Sequence, residues 1–160
     1  MEDMIKKVSY PESAIQNIFI QNCKESLKSA QLLFDGNHSN LWTIVCSYYS
    51  MYYIANAVLY SLNLKVGHKI SHKVTADALI VYVKDKLTDS LIEDYEEIKD
   101  EALEIAGLEA DDIIESFDRE RIKRSRIQYS ITEQVKRAKA KTSLERAKSF
   151  VFEMKKLLSV

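Results

Sequence analysis

The chain contains very few residues that interrupt helices. Its 160 residues include three glycines and one proline, whereas sheet-rich folds need turn residues at short intervals. The single proline, Pro11, directly precedes an apolar pattern of helical spacing, where its missing N–H group costs no hydrogen bond. The chain is therefore predicted to form a few long helices, and its length suits one domain, residues 1–160, with a core of its own.

Helical periodicity and stop signals divide the chain into five or six predicted helices. The first covers about 11–35 and ends at Gly36, because glycine readily adopts the left-handed conformation that closes a helix. Ser39 or Asn40 can cap the second helix, and a loop is predicted after it at about 63–67. The other helices are predicted over about 41–64, 71–87, 88–106, 109–129 and 132–158. Mostly short connections make this an all-α bundle with mostly antiparallel neighbours.

The second predicted helix, 41–64, is apolar, aromatic or small on almost every side. Such a helix is buried on all faces, so it is expected at the centre of the bundle, where a second subunit could cover part of it. It is too rich in tyrosine for a membrane span. Buried tyrosines need partners for their hydroxyl groups, and two interpretations remain open: core and interface packing, or the lining of a nucleotide pocket. The tyrosines concerned are Tyr48, Tyr49, Tyr52 and Tyr53.

Charge is distributed unevenly along the chain, although the net charge is −1. Residues 85–118 carry 2 basic and 14 acidic side chains, whereas residues 119–160 carry 13 basic and 4 acidic ones. Acidic and basic helices can pack side by side and neutralise each other, or the basic third can contact phosphate groups. Both arrangements remain open, and they are compatible with each other.

The segment 119–129 concentrates five basic residues within eleven positions. Arginine side chains match the geometry of phosphate groups, and a tyrosine ring can stack on a base. The alternative is a solvated helix end that pairs with the acidic helix. The candidate nucleotide- or RNA-binding residues are Arg119, Arg121, Arg124, Arg126 and Tyr129 in this segment, with Tyr49 and Tyr53 on the second helix.

Several other functional classes lack the residues they need. Cys23 and Cys46 share no metal-ligand spacing and lie among apolar residues, so both are predicted to be buried, reduced thiols. His68 and His72 have the spacing of a zinc pair, but no HExxH glutamate and no nearby Asp or Cys completes the ligands. No metal or cofactor is therefore expected. Without a signal peptide or a membrane span, the protein is expected in the cytoplasm.

Several segments of the chain together follow the pattern of one known superfamily. The most specific is Tyr48-Tyr49-Ser50-Met51-Tyr52 in the second helix. The others are 25–33, the rest of 47–57, His72-Lys73, 124–129 and 147–150. In this order and spacing they resemble the HEPN superfamily (higher eukaryotes and prokaryotes nucleotide-binding). The resemblance covers most of the chain and implies an antiparallel four-helix core, an up-and-down bundle, with one or two additional helices, usually in a homodimer.

The resemblance implies that the protein binds RNA or a nucleotide. Many members are toxins encoded beside a small nucleotidyltransferase that acts as antitoxin, and the active ones are metal-independent ribonucleases. These use an Arg followed, after four to six residues, by a His that performs general acid–base catalysis. The implied partners are RNA or a nucleotide, a nucleotidyltransferase and a second copy of the chain.

This chain departs from that motif because its three histidines precede every arginine. In one alignment, Arg124 is followed after four residues by Tyr129, which stands where the motif has its histidine. In the other, Tyr129 matches the tyrosine two places beyond the usual histidine. Ile127 then takes the histidine position, and Arg121 becomes the partner. Tyrosine, with a reference pKa of about 10, is a poor general base at neutral pH. A non-catalytic HEPN-like binding module is therefore expected. The alternatives are a ribonuclease toxin with a variant Arg/Tyr site and a structural protein-interaction domain.

Overall fold

The computed structural model describes residues 4–106 and 137–158. Four long helices and one shorter helix account for most of these residues, so the all-α prediction is confirmed. The same residues include a two-stranded antiparallel sheet and a 3-10 turn at Lys84–Lys86. In chain order the elements are β1 (Ile5–Lys7), α1 (Ser13–Asp35), α2 (Asn40–Ser61), β2 (Leu64–Val66), α3 (Ser71–Tyr82), α4 (Asp89–Ala106) and α5 (Arg137–Leu158).

Contacts at the helix ends show the directions of α1, α2 and α5. The backbone N–H of Glu12, just before α1, donates a hydrogen bond to the hydroxyl of Tyr60 at the end of α2, over 3.1 Å. At the start of α5, Arg137 donates to the Phe34 carbonyl oxygen and to Asn37 Oδ1, both at the end of α1. Helix α1 is therefore antiparallel to both α2 and α5.

Ion pairs join the acidic α4 to the basic α5. Lys139 Nζ lies 2.7 Å from Glu101 Oε1, and Arg146 lies 3.2 Å from Asp94 Oδ1 and 2.9 Å from Glu97 Oε2. The two helices are therefore antiparallel, which completes an up-and-down arrangement of the four long helices. The predicted side-by-side packing of acidic and basic helices is confirmed for the described residues. Such partly exposed pairs contribute about 0–1 kcal/mol each, so apolar burial is the larger stabilising term.

Helix α2 occupies the centre of the bundle. It contacts α1, α3, α4 and α5, and 14 of its 22 residues are buried. Ser39 caps its start, because the side-chain oxygen accepts a hydrogen bond from the Trp42 backbone N–H over 3.1 Å. The predictions of a central second helix and of a cap at this position are confirmed. Neither α2 nor any other described helix is long and apolar enough to cross a membrane.

The small sheet corrects the predicted loop at 63–67. Strand β2 pairs with β1 in a register that sets Ile5 opposite Val66. Leu64 is buried, and Ile5 and Val66 pack against the core. This apolar inner face explains why the short strand forms here, although three residues are too few to show the period-two pattern of a strand in the sequence.

Helix α3 is shorter than predicted. It ends at Tyr82 rather than near 87, and the chain turns at Val83, whose side chain is fully buried. Helical spacing predicts that Ile80 or Val81 faces inward, yet these side chains are 44% and 58% exposed, so that prediction is wrong. The helix predicted at 109–129 lies outside the described residues.

The two cysteines differ in burial, which leads to a testable prediction. Cys23 on α1 is fully buried, and burial raises its thiol pKa to about 11; Cys46 on α2 is half-buried, and burial raises its pKa also. Because the thiolate is the reactive form, a thiol reagent is expected to label Cys46 slowly in the native protein and Cys23 only after unfolding. Peptide mass spectrometry measures both rates, with urea-unfolded protein as the control. Equal native rates would contradict the burial of Cys23.

Candidate functional site

Three tyrosines of α2 surround a histidine at the start of α3. The ring of His72 lies with its centroid 5.5 Å from Tyr48, 5.8 Å from Tyr49 and 4.7 Å from Tyr52. Tyr53 extends the group, 6.0 Å from Tyr49 and 5.5 Å from Tyr52. These five residues are called the tyrosine–histidine cluster.

Helix geometry and one polar contact bring the cluster together. Residues one helical turn apart share a face, so Tyr48 and Tyr52 form one row on α2, and Tyr49 and Tyr53 form the next. Asn56, a turn beyond Tyr52, connects α2 to α3. Its side-chain amide donates to the Tyr52 carbonyl oxygen over 2.9 Å and lies 3.3 Å from the Thr75 hydroxyl. This bridge holds the first turns of α3, and hence His72, against the tyrosines.

A hydrogen bond orients the imidazole of His72. The Tyr48 hydroxyl lies 2.6 Å from His72 Nδ1. Tyr48 is fully buried, and burial, assisted by neighbouring Tyr95, raises its pKa above the usual value, so the phenol stays protonated. When His72 is neutral with its proton on Nε2, the Tyr48 hydroxyl donates this bond to Nδ1. The bond therefore fixes the plane of the ring and favours one tautomer.

The inner side of the cluster is anchored in the core. The Tyr48 ring packs 5.9 Å from Tyr95 of α4, and Tyr95 packs 5.3 Å from Phe150 of α5. All three of these side chains are fully or almost fully buried. Rings from α2, α4 and α5 thus form a rigid base beneath His72.

The outer side of the cluster is only partly covered. Tyr49, Tyr52, Tyr53 and His72 are half-buried, in contrast to the fully buried Tyr48. Each of these side chains is therefore partly accessible, and together they carry the aromatic faces of three phenol rings and one oriented imidazole. Flat aromatic ligands stack on such faces. The arrangement is therefore suited to hold a planar ring, with polar groups at its edges.

The predicted site residues fall into two groups. Tyr49 and Tyr53 lie together in the cluster. The others, Arg119, Arg121, Arg124, Arg126 and Tyr129, lie outside the described residues. Sequence reasoning named Tyr48 among the tyrosines that could line a nucleotide pocket, but it did not include His72 in that pocket. His72 stood out for its spacing from His68 and as part of the family resemblance, and nothing in the spacing links it to a tyrosine 24 positions earlier.

The described residues contain no group of side chains that could hold a metal ion. Within 4–106 and 137–158, no three His, Cys, Asp or Glu side chains are grouped so that they could hold a metal ion. His72, which has the spacing of a zinc pair with His68, contacts tyrosine rings and a phenol oxygen. The contacts described for its ring are with aromatic side chains.

Comparison of the chain with protein-family models, curated proteins and solved structures finds no match. The family resemblance of its sequence therefore stays a prediction. The ligand is therefore inferred from the chemistry of the cluster and of the charged surfaces.

Proposed function

We propose that this protein is a HEPN-like binding module for RNA or a nucleotide, and that the tyrosine–histidine cluster receives a base. The supporting observation is the continuous, half-buried aromatic surface of Tyr49, Tyr52, Tyr53 and His72. Stacking of a base on an aromatic side chain contributes about 1–3 kcal/mol and tolerates every base. Rings that served only the core would be expected to be buried as fully as Tyr48.

The proposal extends to partners through the family resemblance. A homodimer in the cytoplasm that works with a nucleotidyltransferase fits the pattern of the superfamily. Trp42 and Leu32, on either side of the α1–α2 turn, are 57% and 60% exposed. Large apolar side chains of this kind favour a protein interface.

Replacing Tyr52 with leucine is expected to weaken the binding of single-stranded RNA by roughly 5- to 150-fold, the equivalent of one base stack. Leucine retains much of the apolar volume but has no aromatic face. The measurement is fluorescence anisotropy of a fluorescein-labelled oligouridylate in metal-free buffer with EDTA. Unlabelled UMP, added as a competitor, reports binding of a mononucleotide at the same site.

Tyr82→Leu provides the matched control for this experiment. The exchange is the same, and Tyr82 is an exposed ring at the opposite end of α3 from His72. This variant is expected to bind like the parent protein, and circular dichroism checks that both variants fold. Equal affinities of the two variants, or no binding of either ligand by the parent, would refute the proposal.

A metal-independent ribonuclease is the second candidate function. It is favoured by the hydrogen bond from Tyr48 that orients His72, because an imidazole is the usual general acid and base near neutral pH. Denaturing gels of the same incubations test it. Cleavage that is lost in His72→Gln would make the protein an enzyme with its centre at the cluster. Cleavage lost instead in Arg124→Ala and Tyr129→Phe would favour the variant site, and retention without cleavage supports the binding module.

A further inference from the structure

The two-stranded sheet presents a pair of lysines to solvent. Lys6 of β1 lies directly opposite Lys65 of β2 in the antiparallel register, so both side chains are on the same face. The other face carries Leu64, which is buried, with Ile5 and Val66 packed on the core. Lys6 and Lys65 are exposed and point away from the bundle.

Within the described residues, the sequence on either side of this pair is basic. Between residues 62 and 76 the charged side chains are Lys65, Lys69 and Lys73, and between residues 4 and 10 they are Lys6 and Lys7. The nearest acidic residues along the described chain are Glu12 and Asp77. We call Lys6, Lys65 and Lys69 the lysine surface; all three are exposed.

The lysine surface differs from the basic side chains of α5 that pack against α4. None of its three side chains forms an ion pair within 4.0 Å, as far as residues 4–106 and 137–158 show. Lys139 and Arg146, by contrast, pair with carboxylates of α4. Like charges at directly opposed positions destabilise a sheet. The Lys6–Lys65 pair therefore lowers stability unless an anion lies over it.

The lysine surface comes close to the tyrosine–histidine cluster along the chain. Lys69 precedes His72 by three residues, in the turn between β2 and α3. Ile70, between them, has a φ of 43°, and His72 at the start of α3 contacts Tyr48 and Tyr52 of α2. A base stacked on the His72 ring is therefore three residues along the chain from Lys69.

We propose that the lysine surface binds the phosphate backbone of single-stranded RNA while one of its bases occupies the tyrosine–histidine cluster. This inference rests on the proposed function and makes the ligand a polynucleotide rather than a mononucleotide. An anionic membrane is the alternative partner for exposed lysines. It fits less well, because the outward sheet positions carry no apolar side chain for insertion and a bilayer offers the cluster no planar ring.

The double variant Lys6→Gln/Lys65→Gln tests the proposal in the full chain. Removing one lysine that neutralises a phosphate of single-stranded RNA lowers the slope of log affinity against log salt by about 0.7, so the double variant is expected to lower it by about 1.4. Between about 50 and 200 mM salt, the affinity of the parent for oligouridylate should then fall by a factor roughly sevenfold larger than that of the variant. Binding of UMP, which has no polymer backbone, should be unchanged.

Lys24→Gln/Lys28→Gln is the matched control, since both lysines are exposed on α1 and the charge removed is the same. The control should keep the parent's slope apart from a small change due to net charge. Equal slopes in the two double variants would overturn the lysine surface, whereas UMP binding that still depends on Tyr52 would leave the proposed function standing. If Lys6→Gln/Lys65→Gln weakened binding to phosphatidylserine vesicles but not to RNA, the inference would be overturned in favour of a membrane.

Discussion

Replacing Phe150 with alanine is expected to lower the free energy of unfolding by about 3–5 kcal/mol. The side chain is fully buried and its ring packs 5.3 Å from that of Tyr95, at the junction of α5 with the centre of the bundle. Its removal reduces apolar burial and leaves a cavity that close-packed neighbours fill only in part. Urea unfolding followed by circular dichroism measures the change, and each kcal/mol should lower the Tm by roughly 2–4 °C for a chain of this size.

Phe152→Ala is the control for this prediction because it makes the same exchange two residues further along α5. Its ring is 62% exposed and contacts solvent and Lys156, whose Nζ lies 4.5 Å from the ring centroid. An exposed cation–π contact contributes about 0.5–1 kcal/mol, so the destabilisation should stay near that value. If the two variants were equally unstable, the inward face of α5 would be different from the one described.

The same contrast shows how well helical spacing alone predicts the fold. The stripe of apolar residues in the last helix includes Val151 and Met154, and both are buried. The fourth helix was predicted from Thr88 or Asp89 to Ala106, and α4 has those bounds. These long segments carry many repeats of the 3.6-residue period, so the pattern outweighs local exceptions.

Short elements were predicted less well, because a few residues carry little pattern. Strands β1 and β2 have three residues each, and their pairing depends on a contact between residues about 60 positions apart, such as Lys6 and Lys65. The end of α3 depends on Val83, which reaches the core only because the backbone turns there. Tertiary packing decides both features, and neither periodicity nor turn residues predict them.

The candidate site shows the same division. Tyr49 and Tyr53 could be selected from the sequence, since four tyrosines on one central helix have to find partners for their hydroxyl groups. His72 could not, because its role depends on the return of the chain through β2 and on the bridge from Asn56 to Thr75. The lysine surface was also missed, because its members become neighbours only when the sheet forms.

Tyr48→Phe is expected to lower the free energy of unfolding by about 1–2 kcal/mol at neutral pH, because His72 is deprived of a hydrogen-bond partner in a partly buried site. Tyr53→Phe is the control, since this hydroxyl on the same helix forms no hydrogen bond within the described parts of the chain. Its stability should stay within about 0.5 kcal/mol of the parent. Two-dimensional NMR of the imidazole nitrogens should show a changed tautomer population for His72 in Tyr48→Phe alone.

Alkaline pH should reduce the difference in the free energy of unfolding between Tyr48→Phe and the parent. The pKa of Tyr48 in the folded protein is raised by burial, whereas an unfolded tyrosine has a pKa of about 10. The contribution of Tyr48 to the free energy of unfolding is therefore fully present below pH 10. Above pH 10 it is lost at about 1.4 kcal/mol per pH unit, because the unfolded chain releases a proton that the folded one keeps. Cys23 and Lys99, whose pKa values are also raised, affect both proteins alike and cancel in the comparison. Urea unfolding at a series of pH values should thus show the gap shrinking from about pH 10 upward, closing near pH 11; a gap that stays constant would mean that the Tyr48 phenol ionises as readily in the folded protein as in the unfolded chain.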